Sequence, residues 1–178
     1  IAMAAKPSLS SLLRRFAFIF IVMCGSASAS PGKILHAREK KMFFYVQEIT
    51  KGPNTSVRIV GRMYGLSSNI SSFGTVFVVD DPNTEGPEHT FKLLGGLQDF
   101  EANSDHRGTN FHLTTSLIFE NGDTLESAGT IRTLLVQRKL SVVGGSGQLI
   151  FAHGHALVNI VSFDGVLLTF MFDVKIRS

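Results

Sequence analysis

Cysteine is nearly absent from this sequence of 178 residues, in which Cys24 is the only one. It lies in the apolar run FAFIFIVMC, residues 16–24, which follows three basic residues and precedes a segment of Ser and Ala. A basic start, a short apolar run and a small-residue end are typical of a secretory signal peptide. We therefore expect residues 1–29 to be a signal peptide. The mature chain is expected to be secreted and extracellular, without disulfides, thiol nucleophiles or thiolate metal ligands.

Long apolar runs and a surplus of positive charge are missing too. The nine residues of the run 16–24 are about half of what a membrane-spanning helix requires. The formal charge of +3 comes from the signal peptide, which holds three of the 17 Lys and Arg residues and none of the 14 Asp and Glu residues. The mature chain is thus formally neutral, and neither a membrane nor a nucleic acid is expected as a partner.

Helical periodicity is absent as well, because no stretch carries a sustained apolar stripe at helical spacing. After residues 30–41, which we expect to form a mobile arm, short β-branched or aromatic runs alternate with clusters of Gly, Asn, Asp and Pro. This pattern predicts strands over residues 42–49, 56–64, 73–81, 110–119, 140–152, 155–163 and 166–176.

Seven such strands with short connections indicate an all-β domain over residues 42–178, either a sandwich or a closed antiparallel barrel. The last segment alternates, so that one face of it is uniformly apolar: Val166, Leu168, Phe170, Phe172, Val174 and Ile176. Closure removes exposed strand edges, and glycines such as Gly61 and Gly129 fit the bulges of a strongly curved sheet. The barrel is therefore favoured.

Four segments together resemble the dirigent family of secreted plant proteins: FFYVQEI (43–49), FGTVFVVDDPNTEGPE (73–88), VVGGSGQLIFAHGHA (142–156) and SFDG (162–165). The resemblance covers residues 42–176, nearly the whole expected mature chain. It implies an eight-stranded antiparallel β-barrel, usually assembled as a homotrimer, located in the apoplast.

The resemblance also implies a function without a redox cofactor. Members of the family capture phenoxy radicals or quinone methides that a separate oxidase of laccase or peroxidase type produces, and they direct the stereochemistry of the next step. The expectation is stereoselective coupling of radicals of the coniferyl-alcohol type in lignan biosynthesis, by an auxiliary protein rather than an independent enzyme. The alternative is quinone-methide cyclisation of the pterocarpan-synthase type. Either task requires an apolar cavity for phenolic rings, and one or two carboxylic acids must protonate or deprotonate the oxygens of a quinone methide.

Two candidate residues follow from matching the segment ENGDTLESAGTIR, residues 120–132, to the family. The resemblance implies that Asp123 acts on the quinone methide and that Arg132 orients a phenol oxygen. The two residues have opposite parity, so a bulge at Gly129 would be needed to bring both into the barrel. The alternative interpretation of Asp123 is a hairpin turn after Asn121-Gly122, which is a strong turn signal by itself.

Further acids are expected near the barrel mouth. Asp80 and Asp81 match the family motif at the end of a predicted strand, where one carboxylate could move protons, or both could cap the Pro82 turn. Glu48 stands where the family often has Asp, and we expect it to move protons. Glu101 stands where the family commonly has Tyr, and we expect it, like Asp80, to contact the substrate. These departures also leave open a non-catalytic barrel that binds a hydrophobic metabolite or a wall glycan.

The remaining candidates concern the cavity wall and the surface. Phe172 matches a cavity aromatic of the family, and Phe44 belongs to the matching segment FFYVQEI; ordinary core packing is the alternative for both. The sequons at Asn54 and Asn69 predict glycosylation in an exported chain.

Two histidines resemble part of a known metal-binding motif. His153 and His155 copy the first part of a cupin metal motif, but Asn159 and Ile160 stand where the Glu ligand would be, so no metal is expected.

Overall fold

The computed structural model describes residues 38–62, 64–65 and 69–178. They form nine strands, β1 (Glu39–Ile49), β2 (Val57–Gly61), β3 (Val76–Thr84), β4 (Leu93–Asn103), β5 (Asn110–Phe119), β6 (Thr124–Arg132), β7 (Arg138–Gly145), β8 (His153–Phe163) and β9 (Leu167–Arg177), and one 3-10 turn, Gly147–Leu149. The expected signal peptide and most of the expected arm lie outside these residues. Residues 39–41, which were assigned to the arm, belong to β1.

Eight of the strands close into an antiparallel barrel, as the sequence predicts. The sheet runs β1-β9-β8-β7-β6-β5-β4-β3, and β1 also pairs with β3, through Tyr45 opposite Thr84 and Val46 opposite Asn83. The short strand β2 lies on β3, with Val57 opposite Val79. Closure leaves the barrel strands with partners on both sides.

Two-residue periodicity determines which side chains enter the barrel. In β9, Phe172, Val174 and Ile176 are buried, whereas Arg177 at the strand end is exposed. In β5, Phe111, Leu113 and Leu117 are buried on the same side. Successive side chains of a strand point to opposite faces, so each strand contributes every second residue to the interior.

Strand boundaries differ from the predictions in two places with an evident cause. The segment predicted over residues 140–152 is divided, because β7 ends at Gly145 and Gly147 takes a left-handed conformation with φ of 57°. The strand β4, which was not among the predicted segments, contains Gly95 with φ of 148°. A Cβ atom there would overlap the carbonyl oxygen of Ile118, so the close approach of β4 and β5 requires glycine.

The turn predicted at Pro82 is wrong, because β3 continues through it to Thr84. Proline is tolerated in a strand where its missing N–H group is not needed. On that side of β3, the pairing with β2 ends at Val79 and the pairing with β1 begins at Asn83. Pro82 lies between the two, and Asp81 therefore belongs to a regular strand instead of a turn.

The interior of the barrel divides into two halves. The packed half is filled by a mainly aliphatic cluster, which continues into the cavity wall, and it is covered by the 3-10 turn. The members of the cluster in this half include Leu117, Leu125, Val142, Leu149, Val174 and Ile176. The mouth half lies toward the opposite end, where β4, β6 and β8 end and β5, β7 and β9 begin. It contains a cavity.

Candidate functional site

The cavity has a volume of about 400 Å³ and an apolar, partly aromatic wall. Phe77, Phe111, Phe170 and Phe172 line it together with aliphatic side chains from β1, β4, β5, β6, β7, β8 and β9. Ile70 and Thr133, from the connections β2–β3 and β6–β7, form part of its outer wall. Pockets of roughly 300–1,000 Å³ with such walls bind small organic molecules.

Four carboxyl groups project into this cavity, and we call them the acid wall: Glu48, Asp81, Asp99 and Glu101. They come from β1, β3 and β4, which are consecutive around the barrel. Val46 is opposite Asn83, so two residues further along β1 Glu48 reaches the level of Asp81. Asp99 and Glu101 occupy successive inward positions of β4, opposite Val79 and Phe77 of β3.

Burial raises the pKa of these acids far above the usual values. The pKa of Asp81 is raised to about 8, first by burial and further by the charges of Glu48 and Asp99. The pKa of Glu48 is raised to about 7 by burial and by Asp99. A carboxyl group in an apolar environment favours its neutral form, because nothing replaces the water that would solvate the charge. Near neutral pH the acid wall therefore carries protons.

Asp99 and Glu101 are the two members of the acid wall that lie on the same strand, two positions apart on β4. Burial raises the pKa of both, and the charge of Asp99 raises that of Glu101 further. Two acceptor atoms of the wall, Asp81 Oδ1 and Asp99 Oδ1, are buried without a hydrogen-bond partner. Unsatisfied buried polar atoms are costly, and they mark positions where a ligand can supply the missing partner.

Arg138 is the cationic residue of the cavity wall. It begins β7, which lies across the barrel from β3, and it is only 8% exposed. Its Nη2 atom donates to the carbonyl oxygen of Thr133 at 3.0 Å, whereas Nε and Nη1 have no partner. Burial lowers the pKa of Arg138, but a guanidinium stays protonated throughout the physiological range. The cavity thus offers free N–H donors on the side opposite its acids.

Among the described residues, no carboxylate forms an ion pair with Arg138. Within residues 38–62, 64–65 and 69–178, the ion pair closer than 4 Å is Arg107 with Asp105, at 3.4 Å on the surface. A buried guanidinium with free donors is well suited to a ligand oxygen that bears or develops negative charge.

Asp123 does not line the cavity. It lies before β6 at the packed end, where its carboxylate accepts from Asn121 Nδ2 at 2.9 Å and from the backbone N–H group of Gln148 at 3.3 Å. The role of Asp123 is thus to hold the hairpin turn and the 3-10 turn together, which agrees with the alternative interpretation as a turn residue. The placement of Asp123 in the cavity was wrong.

Arg132 is also outside the cavity, as is Asp80. The register between β5 and β6 runs unbroken from Asn110 opposite Arg132 to Ile118 opposite Thr124, so the bulge that was expected at Gly129 does not occur in it. Arg132 consequently faces outward and is exposed. Asp80 is exposed on β3, between the buried residues Val79 and Asp81.

The predicted cavity residues Glu48, Asp81, Glu101 and Phe172 do meet in the mouth half. Phe44 is 1% exposed and stacks on Phe172, with ring centroids 5.2 Å apart and planes 16° apart. Phe44 therefore supports the cavity wall from beneath.

Asp99 and Arg138 were not among the predicted site residues. The alternation of each strand marks both residues as inward-facing. Asp99 shares parity with Glu101, and Arg138 shares parity with the apolar residues Leu140 and Val142 of the same strand. The strand was predicted to begin at Leu140, which left Arg138 in the preceding turn.

Two other predictions concern the surface. Asn54 and Asn69 are exposed, in the connections that follow β1 and β2 at the mouth end. His153 and His155 lie on the outward-facing positions of β8, and His153 contacts the carbonyl oxygen of Phe151.

Among the residues that the structure describes, no three His, Cys, Asp or Glu side chains are grouped as metal ligands. In the same part of the chain, no helix is long and apolar enough to cross a membrane.

The Dirigent-like protein family model matches residues 39–177, the whole barrel. The chain belongs to the dirigent family. Dirigent protein 11 of Arabidopsis thaliana is 33% identical over 144 residues, which are 77% of this chain and 72% of the relative. Pterocarpan synthase 1 of Glycyrrhiza echinata is 29% identical over 162 residues, 86% of each chain.

Solved structures agree with the family assignment. The structure of the pterocarpan synthase dirigent protein GePTS1 superposes with a TM-score of 0.71 at 28% identity, over 79% of this chain and 84% of that one. Pyocyanin demethylase shares the fold alone, with a TM-score of 0.56 at 11% identity. The barrel of this chain is therefore a dirigent barrel with the acid wall in its mouth half.

Proposed function

We propose that this protein closes a ring in a phenolic quinone methide and determines the face on which the new bond forms. The observation that carries the proposal is the acid wall facing the unpaired guanidinium of Arg138 across an apolar cavity. The similarity to pterocarpan synthases supports it.

The chemistry needs one cationic site and one proton acceptor. In ring closure, a hydroxyl oxygen of the substrate forms a bond to the methide carbon and its O–H bond breaks. The electron pair of the exocyclic C=C bond moves into the ring, so the carbonyl oxygen becomes a phenolate. The free donors of Arg138 stabilise that oxygen, and a carboxylate of the acid wall takes the proton. No electrons are gained or lost.

The apolar wall supplies the stereochemical control. Aromatic side chains such as Phe172 hold the phenolic rings by area burial and ring packing. A single bound orientation exposes one face of the methide carbon to the hydroxyl group, and this restriction alone accelerates the reaction. Exposed Leu134, Leu135 and Val136 beside Thr133 give the cavity an apolar entrance.

Radical coupling of the coniferyl-alcohol type remains the second candidate. Two phenoxy radicals form a C–C bond without any proton from the protein, so the acid wall would be idle in that step. The acid wall favours ring closure for this reason. A separate oxidase, secretion, a homotrimer and glycosylation of Asn54 and Asn69 remain predictions.

The test is a ring-closure assay with a phenolic quinone methide that is generated in solution and carries its own nucleophilic hydroxyl group. We expect the protein to accelerate closure and to yield mainly one enantiomer on a chiral column. Replacing Arg138 with Met keeps its volume and removes its donors. This variant should be slower by about 10²–10³-fold, since losing a donor to a developing oxyanion has that effect.

The matched control is Arg132→Gln, which removes a cation from the outer surface and should leave the rate unchanged. A second arm supplies coniferyl alcohol and a one-electron oxidant. Enantiomeric excess only in the second arm would replace ring closure with radical coupling. Racemic product in both arms would leave a non-catalytic binding protein.

A further inference from the structure

Asp99 and Glu101 form a carboxyl pair that no other feature of the site explains. They occupy successive inward positions of β4, and both line the cavity. Side chains at successive inward positions of one strand are neighbours on the same face. Two carboxyl groups there can share a hydrogen bond only when one of them carries a proton.

The surroundings prevent the pair from ionising twice. Its neighbours across β3 and β5 are Val79, Phe77, Leu113 and Thr115. The other charged or titratable side chains in the cavity wall are Glu48 of β1, Asp81 of β3 and Arg138 of β7. Arg138 is not within 4 Å of any carboxylate in the described residues. Two adjacent carboxylates without a cation repel each other, and in an apolar site one of them retains its proton.

A second observation indicates that the pair awaits a ligand. Asp99 Oδ1 is buried without a hydrogen-bond partner, as is Oδ1 of the neighbouring Asp81, which is 3% exposed. Asp81 and Asp99 line the same cavity as Arg138. A substrate hydroxyl group donating to Asp99 would satisfy the buried acceptor.

We propose that Asp99 and Glu101 act as one unit, in which Asp99 is the catalytic base for the substrate hydroxyl group and protonated Glu101 is its positioning residue. This inference rests on the proposed ring closure. As the hydroxyl oxygen bonds to the methide carbon, its proton goes to the carboxylate of Asp99. Glu101 keeps its own proton and holds the Asp99 carboxylate by a hydrogen bond. When product leaves, Asp99 loses the proton and the phenolate gains one, so the protein is unchanged.

The pair can be tested without any substrate. Carboxyl ¹³C resonances of the full chain, followed against pH, should show Glu101 losing its proton at higher pH than Asp99. In Asp99→Asn the like charge is gone, so the midpoint of Glu101 should fall by at least about one pH unit. An unchanged midpoint for Glu101 in this variant would show that the two acids are independent and would overturn the proposal.

Kinetics then separate the base from its positioning residue. Asp99→Asn should slow ring closure by about 10²–10⁴-fold, the usual contribution of a general base. Glu101→Gln keeps a neutral hydrogen-bond donor and should remain within about tenfold of the wild type. It should also lose the decline in rate at high pH that ionisation of Glu101 causes. Because Glu48 and Asp81 titrate in both proteins, only the difference between the two pH profiles is assigned to Glu101.

The matched control is Glu120→Gln, an exposed acid at the packed end, which should change neither the titration of the pair nor the rate. Full activity in Asp99→Asn, or a Glu101→Gln variant as slow as Asp99→Asn, contradicts the assigned roles. Coupled titration of Asp99 and Glu101 without any ring closure would refute the proposed function, while the coupling between the two acids would stand. Ring closure at an unchanged rate in Asp99→Asn would refute the roles assigned to the two acids, while the proposed function would stand.

Discussion

The two halves of the barrel interior are built from the same strands, but only the mouth half places titratable side chains among its apolar ones. Along β7, Arg138 in the mouth half is followed two and four residues later by Leu140 and Val142. Along β4, Leu97 is followed by Asp99 and Glu101. The packed half buries aliphatic side chains, whereas the mouth half buries titratable ones around a cavity. One alternating pattern can thus supply a stabilising core and a reactive site in succession.

The packed half contributes most of the stability, and the mouth half carries the reactive groups. Each buried aliphatic side chain contributes roughly 1.5–3 kcal/mol, while an unpaired buried carboxyl group reduces stability. The packed half therefore offsets the cost of the acid wall. This division makes the two halves separable by substitution.

The largest expected effect on stability is in the packed half. Leu125 is completely buried, and Leu125→Ala should lower the free energy of unfolding by about 2–5 kcal/mol, because it leaves an unfilled space. Chemical denaturation measures the loss. The rate of ring closure by the folded fraction should stay the same. A reduced rate in the folded variant would show that the two halves are coupled.

A smaller effect should come from pH, through the mouth half. The pKa of Asp81 is about 8 in the folded chain against 3.8 for the free group, so between these values the folded state holds a proton that the unfolded state has lost. Stability is therefore greatest at low pH within this window and falls as pH rises from about 4 to 8, by an amount on the order of a few kcal/mol.

The variant Asp81→Asn cannot ionise and should flatten this slope, as measured by denaturation at pH 5, 7 and about 9. Asp80→Asn, an exposed neighbour on the same strand, is the control. Equal slopes for wild type and Asp81→Asn would indicate that Asp81 is ionised in the folded protein.

The smallest effect is expected at the turn that closes the packed end. Asp123→Ala removes the acceptor of the Asn121 and Gln148 hydrogen bonds and should lower the free energy of unfolding by about 1 kcal/mol. Ring closure should continue at the wild-type rate. A variant that is stable but inactive would indicate that Asp123 has a catalytic role.

Alternation is a local property of each strand, so the sequence predicts inward faces such as that of β9 well. The eight-stranded closed barrel was implied by the family resemblance, because alternation alone is compatible with a sandwich as well. The sequence also predicts Glu48, Asp81 and Glu101 as site residues, and all three line the cavity. Asp123 and Arg132 could not be placed correctly in this way. Their position depends on the unbroken register of β5 and β6, and β6 separates them by about 30 Å of extended chain.

Arg138 and Asp99 show the opposite limit. Each stands beside apolar residues of the same parity, but their role depends on distant strands, since Arg138 reaches the cavity only because β7 lies across the barrel from β3. The pairing of β1 with β3, which closes the barrel and brings Glu48 to Asp81, is likewise a long-range contact. Local patterns identify inward positions, and closure determines which of them meet.

The most direct test of the account is the position of a bound phenol. A crystal structure of the protein with a ring-closed phenolic product should show the ligand in the mouth half, its phenol oxygen within hydrogen-bonding distance of Arg138 and its newly bonded oxygen facing Asp99. A ligand bound outside the barrel, or one inside it that contacts neither Arg138 nor the acid wall, would contradict the account.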